Sequence, residues 1–163
     1  MTQIAKNKIY ILFLLLVFNI SNNLAYAETP HYSSMQIEFA KNEFLDPEFL
    51  SITIKGNSSL PINLTDIHLN YDKEKLIFSQ IDFSESFCDL FIYNNINQEK
   101  GKINIACANP QATTTPYFAK IRFKKIASGL SSLSLSDSRF FLHNGLGEEV
   151  WPETETASFL IYR

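Results

Sequence analysis

The chain has 163 residues, with 14 basic and 17 acidic side chains that give a net charge of −3 at neutral pH. This length fits one domain with a buried core. Proteins that bind nucleic acid usually present a basic face, so the acidic balance argues against that class. The sequence shows no internal repeat and no Pro- or Ser-rich linker, and a single folded unit is therefore expected.

The first 27 residues have the pattern of a secretory signal. Two lysines precede an apolar run at residues 9–20, and Ala25-Tyr26-Ala27 supplies the small-x-small pattern that signal peptidase cleaves. The run is shorter than the ~20 apolar residues that a membrane span needs, so an uncleaved anchor is the weaker alternative. We expect a secreted, extracytoplasmic protein of 136 residues that begins at Glu28, carries 12 basic and 17 acidic residues, and has no membrane span.

Nine short segments after the signal alternate apolar with polar residues, as strands with one buried and one exposed face do. Turn-forming residues separate these segments, and no helix-period stretch of ten or more residues is present. The pattern predicts an all-β domain over residues 28–163, with nine strands in a two-sheet sandwich. The apolar positions are Met35-Ile37-Phe39, Leu50-Ile52-Ile54, Ile67-Leu69-Tyr71, Leu76-Phe78, Cys88-Leu90-Ile92, Ile103-Ile105-Cys107, Ala119-Ile121-Phe123, Leu133-Leu135 and Phe159-Ile161.

The two cysteines occupy matching places in a predicted hairpin over residues 87–107. If Cys88 lies opposite Cys107, the apolar residues of both strands share one face. The other pairs in that register are Leu90 with Ile105 and Ile92 with Ile103. Directly opposed residues have Cα atoms ~4.5–5.5 Å apart, within the reach of a disulfide. In an exported protein such a pair is expected to be bonded, and two buried thiols are the alternative.

No catalytic constellation is evident in the sequence. His31, His68 and His143 are far apart and have no metal-ligand spacing. Neither a nucleophile motif nor a glycine-rich phosphate loop is present. We therefore expect a protein that is not an enzyme and that has no cofactor and no metal site.

Six short motifs occur in order between about residues 35 and 162. They are Tyr71-Asp72, Leu76, GKINI at 101–105, AKIRFKK at 119–125, LSL at 133–135 and NGLG at 144–147. Together they resemble the pattern of the cohesin family. The resemblance implies a nine-stranded sandwich with jelly-roll topology and a non-catalytic binding module. In cohesins that bind dockerins one sheet face meets the partner; Asp66 falls where those cohesins carry a partner-contacting Asp, and the neighbouring Asn of that pattern is Leu64 here.

The predicted binding surface consists of the outward-facing polar positions on strands whose alternate residues form the core. It comprises Asp66, His68, Asn70, Phe91, Tyr93, Lys102 and Asn104. The expected function is a secreted cohesin-like module that engages a protein partner, dockerin-like in type, or an extracellular polysaccharide through this face. One alternative is a carbohydrate-binding module proper, for which Trp151 and Tyr117 would add aromatic contacts. The other is a structural subunit of a cell-surface assembly that associates through the edge segment 158–163.

Overall fold

A computed structural model describes residues 31–40 and 46–162 of the chain. These residues form twelve strands and one short 3-10 helix, Gln98–Lys100. The strands are β1 Ser33–Phe39, β2 Phe49–Ser58, β3 Ile62–Tyr71, β4 Leu76–Asp82, β5 Leu90–Asn97, β6 Lys102–Thr113, β7 Tyr117–Lys125, β8 Gly129–Leu135, β9 Arg139–Leu142, β10 Glu149–Val150, β11 Glu153–Thr154 and β12 Thr156–Ile161.

The strands form two sheets, and the predicted all-β sandwich is confirmed. Sheet A has the order β11-β1-β2-β7-β4. Sheet B has the order β10-β9-β3-β6-β5, with β8 also paired to β3 and β12 paired to β8. Neighbours in space are mostly not consecutive in sequence, so the chain crosses repeatedly between the sheets, as it does in a jelly roll. The predicted count of nine strands is not confirmed: the described residues form twelve, and β9, β10 and β11 are too short for their alternation to be recognised in the sequence.

The inward phase of the strands builds one core between the sheets. In eight of the nine predicted segments the apolar residues are buried or pack against the core. Gly56 of β2 lies at a place where a side chain would not fit, because a Cβ there would come within 2.8 to 3.0 Å of Phe140, Pro116 and Phe118. Close packing of these three side chains therefore requires glycine at position 56.

The central strand of sheet B is β3, which is paired along both edges. One edge pairs with β6, and the other is shared between β9, opposite residues 62–66, and β8, opposite residues 69–71. At the switch between these partners the backbone N–H of His68 donates to Ser138 Oγ at 3.0 Å. Because its backbone is held on both sides, β3 is a rigid base for the side chains that point outward from it.

The structure contradicts the predicted hairpin register at β5. Leu90 lies opposite Ala108 and Phe91 opposite Cys107, and a bulge follows before Tyr93. Leu90 and Ile92, which were expected in the core, are 58% and 59% exposed. The reason is that Cys88 precedes the strand: Phe87 is buried and its N–H donates to Tyr117 O at 2.6 Å, so β5 begins only at Leu90.

The disulfide itself is present between Cys88 and Cys107, whose Cα atoms are 5.2 Å apart. It joins the segment before β5 to the middle of β6, rather than two opposed strand positions. The pairing of the cysteines was therefore predicted correctly from a register that is wrong.

The described residues from His31 onward form one compact unit. The predicted signal at residues 1–27 lies outside the described residues, and its cleavage stays a prediction. Within the described part of the chain, no helix has the length and apolar character needed to cross a membrane.

Candidate functional site

The outer face of sheet B carries most of the predicted binding residues. On β3, Ile67 and Leu69 are buried in the core, so the residues between them point to the other side of the sheet. The pairing places Asp66 beside Ala106, His68 beside Asn104 and Asn70 beside Lys102. Tyr93 of β5 lies opposite Ala106 and so joins the same face. The structure thus brings together Asp66, His68, Asn70, Tyr93, Lys102 and Asn104.

Phe91 does not belong to this face, because the bulge between Phe91 and Tyr93 reverses the phase of β5. It lies opposite Cys107, whose side chain is in the core. Its ring packs edge-on against Phe83 with centroids 4.6 Å apart, although 46% of the residue stays exposed. The prediction that Phe91 contributes to the outer face is therefore wrong.

Asp66 is the centre of a polar network on this face. Only 6% of the residue is exposed, although it was predicted to be an outward, wet position. Its Oδ1 accepts a hydrogen bond from the Tyr93 hydroxyl and lies 2.9 Å from His68 Nε2. Its Oδ2 accepts from Arg139 Nη2 at 2.8 Å. Both carboxylate oxygens are thus already used within the chain, and side chains from β3, β5 and β9 are held in fixed positions.

The network shifts the titration of its members. Burial raises the pKa of Asp66, but the hydrogen bonds from Tyr93 and Arg139 and the neighbouring His68 outweigh it, and the net pKa lies below the usual value. Burial and the hydrogen bond to Asp66 raise the pKa of Tyr93 to about 12. The hydrogen bond to Asp66 also raises the pKa of Arg139. At neutral pH the network therefore holds a carboxylate, a guanidinium and a neutral phenol.

This network predicts a pH-dependent contribution to stability. The folded-state pKa of Asp66 is below the unfolded value of about 3.9, so its contribution is present in full above pH ~4 and is lost as pH falls through the folded-state pKa. We expect Asp66→Asn to lower the free energy of unfolding by about 1.5–3 kcal/mol at pH 7, the range for hydrogen bonds to a charged group. The difference from wild type should shrink as pH falls below ~4 and through the folded-state pKa.

Urea unfolding of both proteins at several pH values measures this difference. The matched control is Asp89→Asn, a change at an exposed residue outside the network. Its free energy of unfolding should follow that of wild type across the pH range. A difference for Asp66→Asn that does not decrease as pH falls below ~4 would contradict the assignment of the effect to the Asp66 carboxylate.

Aromatic side chains surround the network and remain accessible. The Arg139 guanidinium lies 5.6 Å from the Trp151 ring centroid and 5.8 Å from that of Phe141, and its Nη1 is 3.4 Å from Glu149 Oε1. Trp151 is 61% exposed and Tyr93 is 38% exposed. The centre of the face therefore combines Trp, Tyr and Arg, the side chains that most often dominate the energy of protein interfaces.

Sequence reasoning missed Arg139 and Glu149. The signal was present in residues 139–142, where Arg139 and Phe141 alternate with the buried Phe140 and Leu142. A stretch of four residues is too short to be recognised as a strand on periodicity alone. Trp151 was considered only as a sugar contact, because nothing in the sequence placed it beside β3.

Among the residues that the structure describes, no group of three or more His, Cys, Asp or Glu side chains is arranged to hold a metal ion. His143 lies beside Asn63, with 3.1 Å between its Nδ1 and Asn63 Nδ2, and His68 is engaged with Asp66. The geometry of the sheet B face suits recognition of another molecule.

Comparison with solved structures identifies the fold. No protein-family model matches the chain, and no curated protein matches it in sequence. Cohesin structures do match. The seventh type I cohesin of ScaB from Pseudobacteroides cellulosolvens aligns with a TM-score of 0.61 at 22% identity, covering 79% of this chain and 92% of that one. The chain therefore has the cohesin fold, as the motif resemblance implied.

Two further structures show the range of proteins with this fold. The sixth cohesin of scaffoldin B from Acetivibrio cellulolyticus, solved in complex with a Cel5 dockerin mutant, gives a TM-score of 0.62 at 17% identity, covering 80% of this chain and 99% of that one. A non-cellulosomal cohesin from the archaeon Archaeoglobus fulgidus also gives 0.62, at 11% identity, covering 81% and 92%. At these identities the comparison establishes the fold, and the partner has to be argued from the surface.

Proposed function

We propose that this protein is a non-catalytic binding module that engages a protein partner of the dockerin type through the outer face of sheet B. The observation that carries the proposal is the cluster of Tyr93, Arg139 and Trp151 around the buried carboxylate of Asp66. One of the structures with this fold is a cohesin in complex with a dockerin, which supports the choice of partner class.

The arrangement suits binding because its anchors are already ordered. Arg139 and Tyr93 are fixed by hydrogen bonds to Asp66, so little side-chain freedom is lost when a partner docks. Trp151 and Leu90, which is 58% exposed, add apolar surface, while His68 and Glu149 supply a polar surround. Asp66 acts here by positioning Arg139 and Tyr93, since its own oxygens are occupied.

We also propose that the module works outside the cytoplasm. The support is the signal pattern in residues 1–27 and the Cys88–Cys107 disulfide, because such bonds persist mainly in oxidising compartments.

The proposal predicts that truncating the two aromatic anchors strongly weakens partner binding. Truncation of a hot-spot residue typically costs at least ~2 kcal/mol, so Tyr93→Ala with Trp151→Ala should together cost ~4 kcal/mol and weaken binding by about a thousandfold. The measurement is calorimetric titration of the mature chain with a panel of dockerin modules. The matched control is Tyr32→Ala with Tyr162→Ala, which removes two aromatic side chains that are 51% and 66% exposed and lie outside the cluster. This control should bind like wild type.

Other outcomes separate the alternatives. Equal binding by wild type and the anchor variant would show that the outer face of sheet B is not the binding site. Failure of wild type to bind any dockerin, together with retention on an insoluble polysaccharide that the anchor variant loses, would favour the carbohydrate-binding alternative on the same face. Circular dichroism of each variant establishes that it is folded.

A further inference from the structure

Sheet A carries a polar groove on its own outer face. Its volume is about 340 Å³, at the lower end of the ~300–1,000 Å³ typical of small-molecule sites. The floor is formed by β2, β7 and β4, and the loop before β2 closes one side. The lining residues are Asp46, Ser51, Gln80, Asp82, Lys120 and Arg122.

Strand register arranges the polar groups of the floor in two rows. Arg122 of β7 lies between Ser51 of β2 and Gln80 of β4, which forms the first row. Lys120 of the same strand lies opposite Asp82, two residues along, which forms the second. Directly opposed residues have Cβ atoms ~4.5–5.5 Å apart, and rows two residues apart are separated by ~7 Å. Hydrogen-bond donors and acceptors therefore alternate over a small, fixed area.

The groups in the groove are held in place by contacts outside it. The Arg122 guanidinium carbon lies 3.8 Å from the Phe49 ring centroid, so one face of the guanidinium is covered. Asp46 Oδ1 accepts from the backbone N–H groups of Glu48 and Phe49 at 2.8 and 2.9 Å. Asp82 Oδ1 accepts from the N–H of Ser84 at 2.9 Å. The Asp82 carboxylate also interacts with the Ser84 side chain.

Neither cation of the groove, Lys120 or Arg122, forms an ion pair with the described residues. Their neighbour Lys124 does, with 3.7 Å between its Nζ and Glu48 Oε1. Hydrogen bonds from backbone N–H groups lower the pKa of both Asp46 and Asp82, so both are ionised at neutral pH. The groove therefore presents two positive and two negative groups, and its net charge is zero.

We propose that this groove binds a neutral saccharide. A sugar hydroxyl both donates and accepts, so it can donate to the Asp82 or Asp46 carboxylate while it accepts from Lys120 or Arg122. Adjacent hydroxyls on one ring match the alternation of donors and acceptors across β4 and β7. A neutral ligand also suits the cancelled charge, because an acidic group would face the two carboxylates and a cation would face Lys120 and Arg122.

The site is independent of the proposed protein-binding face, since it lies on the other sheet. A module built this way would hold a protein partner on sheet B and a glycan on sheet A at the same time.

The test is nuclear magnetic resonance and calorimetric titration of the mature chain with cellohexaose and xylohexaose as neutral probes and a galacturonic acid hexamer as the acidic one. We expect a neutral probe to shift the amide signals of Ser51, Lys120 and Arg122. Loss of a hydrogen bond to a charged group typically costs ten- to hundredfold in affinity. We therefore expect Arg122→Ala and Asp82→Ala each to weaken binding by about tenfold or more.

Matched variants make the outcome specific. Lys124→Ala removes a cation from the same strand and face but outside the groove, and it should bind the probe like wild type. The sheet B variant Tyr93→Ala with Trp151→Ala should also retain sugar binding. The proposal is overturned if no neutral hexamer binds at millimolar concentration, if only the acidic hexamer binds, or if the sheet B variant loses sugar binding while the groove variants keep it.

Discussion

Replacing both cysteines, Cys88→Ser with Cys107→Ser, is expected to lower the free energy of unfolding by about 3 kcal/mol. The bond links residues 19 apart, and closing a loop of this size restricts the unfolded chain by roughly that amount in the chain-entropy model. Since domains of this size are stable by ~5–15 kcal/mol, the variant should still fold. Denaturant unfolding measures the loss. Reduction of the disulfide in wild type removes the same bond and should lower the free energy of unfolding by a similar amount.

The control for this experiment is the response to reductant. Dithiothreitol should destabilise wild type and leave the double variant unaffected. If wild type purified under oxidising conditions and the double variant unfold at the same denaturant concentration, the bond does not contribute as argued. The bridge also fixes the start of β5, so hydrogen exchange at Leu90 and Ile92 should become faster in the variant.

The sequence was sufficient to predict the strands that are long and have one buried face. In β2, β3 and β7, three or more apolar residues recur with a period of two, and each of those positions is buried. The motifs of the resemblance lie at the end of β3, on β4, β6, β7 and β8, and in the loop after β9, so they sample both sheets of the predicted fold. The polar phase of β3 was located for the same reason, because the core phase determines it.

Prediction failed at β5 because an edge strand is under weaker constraint. It pairs only with β6, and every residue from Leu90 to Ile96 is exposed, so no alternation sets its register. The sequence has five apolar residues in that stretch, and a core face was inferred from them. The actual register follows from Phe87 and the bulge after Phe91, and neither has a signature in the sequence.

The centre of the candidate site was only half predictable. Asp66 could be placed on the outer face, but its burial depends on Arg139, which is 73 residues away in sequence. The two meet because β9 pairs with β3 and places Arg139 opposite Asp66. That pairing is a tertiary feature, and a pattern within one strand contains no information about it.

Truncation of Phe118 is expected to have the largest effect on stability. The residue is fully buried on β7 of sheet A, and its ring centroid lies 5.8 Å from that of Phe140 on sheet B and 6.0 Å from that of Phe87. Phe118→Ala removes contacts that join both sheets and should cost about 3–5 kcal/mol. Leu160→Ala, an apolar truncation at a residue that is 44% exposed, is the matched control and should change the free energy of unfolding by no more than ~0.5 kcal/mol.

The same residue should be energetically coupled to the disulfide. Cys88 Sγ lies 3.8 Å from the Phe118 carbonyl oxygen, and Phe87, the residue before Cys88, packs on the Phe118 ring. Residues in contact typically show interaction energies of ~0.5–3 kcal/mol, whereas distant ones add. A double-mutant cycle with the milder Phe118→Leu and the two Cys→Ser changes measures this term. Strict additivity would mean that the disulfide acts only on the unfolded chain; a coupling in this range would show that it also holds Phe87 against Phe118 in the folded protein.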